Sequence, residues 1–441
     1  MVILTLNCGS SSLKYQVFDW DKDEVLASGI VERIGIEGSK IEQKVRGEEV
    51  EVKRDCPTHK EAMELLMETI LHPDHGAINS VDEIKAVGHR VVHGGEKFAK
   101  SVIINDEAMA TFRELEALAP LHIPANLIGI ESAKTVLPKV PHCAIMDTAW
   151  HQTMPKKSFL YALPYPWYTD YGVRRYGFHG TSFLYTAKRA AVLLGKDPFK
   201  TNVVIAHIGN GSSINAVQNG ISVDTSMGLT PLEGLVMGTR AGDHDPAIAF
   251  HMMKKAGMTP TQVENALNKE SGVLGISQKW VDRRDIEVAA ENGDEVAILT
   301  QNIEAYRIKK YIGSYCAAIG GADAIVFTAG VGERGPVTRL LATEGLDFMG
   351  IKVDPAKNKA SMTRNAETCI SADDSKTKIY VIPTNEELVM TEDTYALING
   401  TYDVHTKYTY HFQNPDYVNH ERVAALPKDL KKWQGLDKII L

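Results

Sequence analysis

Three observations predict an α/β protein. Strand-like and helical segments alternate along the chain, a strand–turn–strand pattern recurs in its two halves, and Gly-bearing turns directly follow apolar strands. The chain opens with an apolar run from Val2 to Leu6, a polar turn Asn7-Cys8-Gly9-Ser10-Ser11-Ser12, the alternating segment Leu13 to Phe18, and a turn over Asp19 to Asp23. Helical patterns follow over Lys60 to Leu71 and Asn126 to Val136, with buried-strand runs at Ile84 to Val92 and Cys143 to Met146. A domain boundary is expected near Thr148 to Pro155, where a segment rich in Pro, Gly and aromatics begins. The opening grammar then returns. Asn202 to Ile208 reads as a strand, Gly209 to Ser213 as a turn, Ile214 to Val217 as a strand and Gln218-Asn219-Gly220 as a hairpin turn. Asn210 stands 203 positions after Asn7 and Gly211 stands 202 after Gly9. A duplicated hairpin unit is the economical reading, with a chance match of two short turns as its alternative. A long helix is expected from Asp285 to about Ala318, then a strand Ala324 to Phe327, a loop Thr328 to Pro336, a last strand Lys378 to Ile382 and a helix from Thr384. The tail from Thr401 to Leu441 carries six aromatics in 41 residues, so it is expected to dock rather than dangle.

Composition narrows the class of function. At 441 residues the chain has room for two or three domains, and a net charge of −8 without a Lys/Arg block argues against nucleic acid as a partner. No run approaches the ~20 apolar residues a membrane helix needs, and the N-terminus lacks a basic leader, so a cytoplasmic protein off the membrane is expected. The five cysteines are scattered without a CxxC pair, which suggests buried thiols rather than disulfides or a thiolate zinc site. A small-molecule enzyme becomes the leading class.

The turns at Asn7 to Ser12, Gly209 to Ser213 and Gly330 to Gly335 could cradle phosphate oxygens with their backbone amides, although each taken singly is as well explained as a plain turn. Gly330-Val331-Gly332-Glu333-Arg334-Gly335 also satisfies G-x-G-x-x-G, with Asp354 placed 19 residues on. A dinucleotide site ranks below a mononucleotide one because Gly345, Gly350 and Pro355 interrupt the unit. No P-loop, G-x-S-x-G or H-E-x-x-H signature occurs. Arg90 in His89-Arg90-Val91-Val92-His93-Gly94-Gly95, and Arg240 in Gly238-Thr239-Arg240-Ala241-Gly242, sit among glycines where a guanidinium can clamp carboxylate or phosphoryl oxygens; an ordinary salt bridge is the competing reading. Asp147 ends a strand and Glu386-Glu387 begin a helix, so both are candidate Mg²⁺ ligands, while a Glu in a first helical turn is commonly a dipole cap.

Taken together, Asn7 to Tyr15, His89 to Gly95, Phe178 to Ser182, His207 to Ser213, Met227 to Arg240, Phe327 to Glu333 and Thr384 to Leu388 resemble the acetate kinase family, in order and over nearly the whole chain. The resemblance implies the sugar kinase/Hsp70/actin fold: two duplicated α/β domains, nucleotide in the interdomain cleft, residues 1–148 plus 384–400 as domain I, 149–383 as the nucleotide-binding domain II, and 401–441 as an extension of unknown role. It implies reversible transfer of the ATP γ-phosphoryl group to acetate, with ADP and acetyl phosphate as products, Mg²⁺ (or Mn²⁺) as cofactor and a homodimer as the assembly. Asn7 and Glu386 would hold the metal, and Lys14 the nucleotide phosphates. Nucleotide contacts are implied at His207, Ile208, Gly209, Asn210, Gly211, Asp282, Arg283, Arg284, Gly330, Val331, Gly332, Glu333 and Arg334. Arg90 would bind the acid's carboxylate, His179 and Arg240 would stabilise the moving phosphoryl group, and Asp147 would be the acid at the reaction centre. Val92, Leu121, Phe178 and Pro231 would wall the acid's methyl group. These roles suit phosphoryl transfer, which is mostly positioning and charge neutralisation. Against the family pattern, Cys8 replaces Ala, Phe183 stands where His is common, and Arg334 replaces Asn in the implied nucleotide pocket. Competing readings are a propionate or other short-chain acyl kinase, and a non-catalytic actin-like nucleotide binder.

Overall fold

The computed structural model describes residues 1–119 and 122–441, which form two compact units. The first comprises Met1–Gln152, Asn385–His411 and Tyr417–Glu421; the second comprises Thr153–Thr384, Phe412–Asp416 and Arg422–Leu441.

In the first unit, strands β1 (Val2–Cys8), β2 (Ser12–Asp19), β3 (Glu24–Glu32), β4 (Lys40–Val45), β5 (Glu48–Lys53), β6 (Ile84–Val91), β7 (Val102–Ile103) and β8 (His142–Met146) make one sheet in the order β5-β4-β3-β2-β1-β6-β8-β7. The meander β1 to β5 is antiparallel, whereas β6 joins β1 and β8 joins β6 in parallel. Parallel pairing requires crossovers, and the helices His59–Ile70 and Ile123–Val136 supply them. Thr58 starts the first of these helices with a capping box completed by Glu61. Its buried Met63, Leu66 and Ile70 share a core with Leu4, Leu6 and Val87 of the sheet.

The second unit repeats the plan. Strands β9 (Val203–Ile208), β10 (Ser212–Gln218), β11 (Ile221–Thr225), β12 (Ala324–Thr328), β13 (Thr368–Cys369) and β14 (Lys378–Val381) lie in the order β11-β10-β9-β12-β14-β13. Strand for strand this is β3-β2-β1-β6-β8-β7, with every pair running in the same sense. The duplication is therefore present in topology, but the asparagines that suggested it are not equivalent. Cys8 pairs with Leu13 as Ile208 pairs with Ser212, so Asn7 and Lys14 occupy the places that His207 and Ser213 hold in the second sheet. Asn210 lies in the turn.

Other expectations are corrected. The long helix is two helices, Arg283–Glu291 and Glu295–Ala318: Gly293 takes a left-handed φ of 85° and Asp294 caps the second by accepting from the amides of Val296 and Ala297. The segment read as a loop over Thr328 to Pro336 is helical, Ala329–Arg334 followed by Pro336–Thr343, with Pro336 at the position where a missing N–H costs nothing. The turn after β2 is a 3-10 helix, Trp20–Lys22, and the helix expected from Thr384 begins at Glu386 behind the cap Asn385.

The tail is divided between the units. In the first, His411 meets Trp20 edge-on at 6.4 Å, and the Tyr410 hydroxyl donates to Asp393 at 2.9 Å. Burial in this aromatic setting pushes the Glu392 carboxyl up to about 8 and that of Asp393 up to about 6. In the second unit Leu436 and Ile439 pack on Ala360, and Ile440 forms a bridge with Thr368. No helix among the described residues is long and apolar enough to cross a membrane.

Candidate active site

In the first unit, the C-terminal ends of β1 and β6, the start of β2 and the start of helix Glu386–Ile398 meet around a small cavity of about 20 Å³, whose lining includes Asn7, Lys14, Arg90, Glu386 and Glu387. The ends of parallel strands are where such sheets place their ligands. Asp147, only 1% exposed, directly follows β8 and accepts from Arg90 twice, at 2.9 Å from Nε and 2.5 Å from Nη2. Burial works against the Arg90 charge, but the Asp147 carboxylate, with smaller help from Glu386 and Glu387, outweighs it and raises the guanidinium above its ordinary pKa. Two of the five Arg90 donors are thereby committed, and the guanidinium plane is fixed. Val92, two residues beyond Arg90, is held through its amide by Asn126, which also donates to the carbonyl of Cys8. Leu121 lies outside the described residues.

Among the described residues no group of three or more His, Cys, Asp or Glu is placed to hold a metal. Asn7 and Glu386 on one small cavity, with the more exposed Glu387 beside them, nonetheless fit Mg²⁺, which typically takes one or two carboxylates and completes its shell with water and phosphate oxygens.

In the second unit a pocket of about 580 Å³ is lined by Gly209, Asn210, Asp282, Arg283, Arg284, Gly330, Val331 and Arg334 among the anticipated nucleotide contacts, by Gly335 of the Gly-rich motif, and by Val281, Glu287 and Arg364, which sequence reasoning missed. His207, Ile208, Gly332 and Glu333 are buried and do not line it, nor does Gly211. Glu333 instead pairs with Arg364 at 3.0 Å, and Arg283 is tied to the buried Glu304 at 2.8 Å. Asp354, the acid a dinucleotide site would need, is spent capping helix Pro355–Ala360.

Beside this pocket the tips of His179 and Arg240 converge on Gly211. A Cβ there would lie 3.0 Å from Arg240 Nη2 and 3.5 Å from His179 Nε2, so the absent side chain is what lets both tips approach the backbone. His179 holds a left-handed φ of 59° at the cap of helix Gly180–Leu193, its Nδ1 is hydrogen-bonded to Ser213 Oγ at 2.8 Å, and its ring stacks on His207 at 4.0 Å. Arg240 Nη1 donates to the carbonyl of Pro231 at 2.6 Å. Burial lowers the Arg240 pKa, and no salt bridge to it occurs among the described residues. Phe178 is buried. Phe183, a departure from the family pattern, meets the rings of His207 and His179 edge-on at 6.2 and 6.4 Å. Cys8 is accommodated because residue 129 is Gly: a Cβ there would come within 2.4 Å of its sulfur.

The model of the acetokinase family matches residues 2–392. An acetate kinase of Treponema pallidum is 57% identical over all of this chain and 99% of its own. The crystal structure of Porphyromonas gingivalis acetate kinase superposes with a TM-score of 0.86 at 45% identity, covering 90% of this chain and 99% of the other. A propionate kinase from Francisella tularensis gives 0.84 at 40% identity with the same coverage. Sharing its fold and its sequence over almost its full length with these proteins, the chain belongs to the acetokinase family.

Proposed function

We propose that the chain is an ATP:acetate phosphotransferase, in which a carboxylate oxygen of acetate forms a bond to the γ-phosphorus of ATP as the bond to the β–γ bridging oxygen breaks, giving acetyl phosphate and ADP reversibly. The observation that carries the reading is the Arg90 cluster: a carboxylate-fixed guanidinium with Asn7, Lys14 and Glu386 around one small cavity is equipment for an acid, a metal ion and a phosphate. Arg90 holds the acid, with Asp147 positioning its guanidinium. Acetate is already ionised near pH 7, so attack needs no general base. The Arg-rich pocket of the second unit takes the nucleotide, and Lys14 meets its phosphates. His179 and Arg240 offset charge developing on the equatorial oxygens of the moving phosphoryl group. Mg²⁺ at Asn7 and Glu386, when bound, supplies further neutralisation of phosphate charge. A phosphoryl clamp of this kind has no use in a protein that only binds nucleotide. Trapping the product with hydroxylamine in the presence of ATP, Mg²⁺ and acetate tests the reading; acetyl hydroxamate at the enzyme-free level would refute it.

The 40% identity to a propionate kinase favours one second reading, a preference for the longer acid. Val92, Phe178 and Pro231 are proposed as methyl-facing walls, stiff enough that an added methylene costs more by overpacking than it gains by burial. The expected order of kcat/KM is acetate, propionate, butyrate; propionate ahead of acetate establishes the second reading. A homodimer belongs to the proposal, supported by exposed apolar side chains such as Ile248, Phe250, Leu299 and Tyr306. A reducing, cytoplasmic setting is supported by five unpaired thiols.

A further inference from the structure

The family match ends at residue 392, yet the tail beyond it reaches the wall of the second unit's pocket. Asp429, on helix His420–Lys432, accepts through Oδ2 from Thr363 Oγ1 at 2.6 Å and from Asn365 Nδ2 at 2.8 Å. The Asn365 amide also donates to Thr363 Oγ1, closing a tight turn with Arg364 at its centre. Arg364 lines the pocket, pairs with Glu333 at 3.0 Å, and brings Nη2 to 3.1 Å from the point where a Cβ on Gly330 would stand. Gly330, Val331 and Arg334 of the same short helix line the pocket as well.

We infer that Asp429 is a positioning residue for nucleotide binding: it pins the turn Thr363-Arg364-Asn365 so that Arg364 braces the pocket wall formed by Gly330 and Glu333. The anchor is itself fixed, because Leu436 and Ile439 pack on Ala360 while the Leu441 amide donates to the Glu367 carbonyl and the Cys369 amide to that of Ile439. Burial and the neighbouring Arg364 both disfavour charge on Arg334, and Asp429 is among the carboxylates that oppose them. A segment beyond the family-model match thus braces the wall of the nucleotide site.

This inference rests on reading that pocket as the nucleotide site, and calorimetric titration of ADP into the full-length protein separates the two. Absence of ADP binding to the unaltered chain refutes the pocket reading, and the inference with it. Given ADP binding, Asp429→Ala is expected to raise the Kd for ADP and the KM for ATP roughly fivefold to tenfold, with kcat at saturating ATP and the KM for acetate within about twofold. Asp429→Glu should recover part of the loss, and Lys428→Ala, an exposed neighbour, should change neither constant. An unchanged ADP Kd in Asp429→Ala overturns the inference, as does a parallel loss of kcat and acetate KM, which marks a general structural role. Should that variant fail to fold, Thr363→Val removes one of the two bonds to Asp429, together with the Asn365 amide's bond within the turn, without touching the tail; an unaltered ADP Kd there is equally fatal.

Discussion

Arg90 in the first unit and Arg240 in the second are both largely withdrawn from water and both proposed to meet substrate, but their electrostatics are opposite. Arg90 sits in a two-point pair with Asp147 and its charge is favoured; Arg240 reaches a backbone carbonyl, and its charge is disfavoured by burial. The first arrangement fixes geometry and leaves the pair near neutral. The second holds a cation with no counter-charge among the described residues, a cost in the resting protein that an incoming anionic group relieves. A guanidinium of the first kind suits recognition of a ground-state acid, and one of the second kind suits charge that grows as the reaction proceeds.

Substitutions test this contrast directly. Arg240→Ala should lower kcat by roughly 10³-fold while the KM for ATP moves little, as expected for an interaction realised in the transition state. Near-normal turnover would erase the distinction. Arg90→Ala should act on the other side of it, raising the KM for acetate by about 10²-fold through loss of a charge-assisted pair. If kcat fell instead and acetate KM held, Arg90 would be working like Arg240. Gly211→Ala sharpens the comparison, since its methyl would press on Arg240 Nη2 and on the ring of His179. A drop of about tenfold in kcat with unchanged acetate KM is expected, and steady-state kinetics in both substrates reads it. The smallest effect is assigned to Arg334→Asn, which replaces a donor-only group by one that also accepts. A change of a few-fold in the ratio of ATP to GTP use is expected; identical ratios would mean that the side chain points away from the base.

The duplicated sheet was legible because short strands with tight Gly turns leave a local imprint, and the helix starting at Glu386 because its acidic first turn does too. The break at Gly293-Asp294 left the same kind of imprint and was passed over in favour of the longer periodic run. The pocket's supporting pairs were not legible. Glu304 for Arg283, Arg364 for Glu333 and Ser213 for His179 are partners far apart in sequence, joined only by the fold, and Arg364 stands in a stretch with no motif at all. Motifs named the groups proposed to touch substrate, whereas the groups that hold them still became visible only in three dimensions.

The unpaired state of Arg240 has a consequence for the resting enzyme. A guanidinium beside the open backbone of Gly211, with His179 and the start of a long helix next to it, is a seat for any small tetrahedral oxyanion, because aligned N–H groups and a helix N-terminus favour negative charge irrespective of what carries it. Sulfate and inorganic phosphate should therefore occupy the place of the phosphoryl group and inhibit in competition with ATP. Arg90, with two of its donors already held by Asp147, offers them a smaller set of donors. Oxyanion buffers would then slow the reaction from the nucleotide side and leave the apparent affinity for acetate as it was.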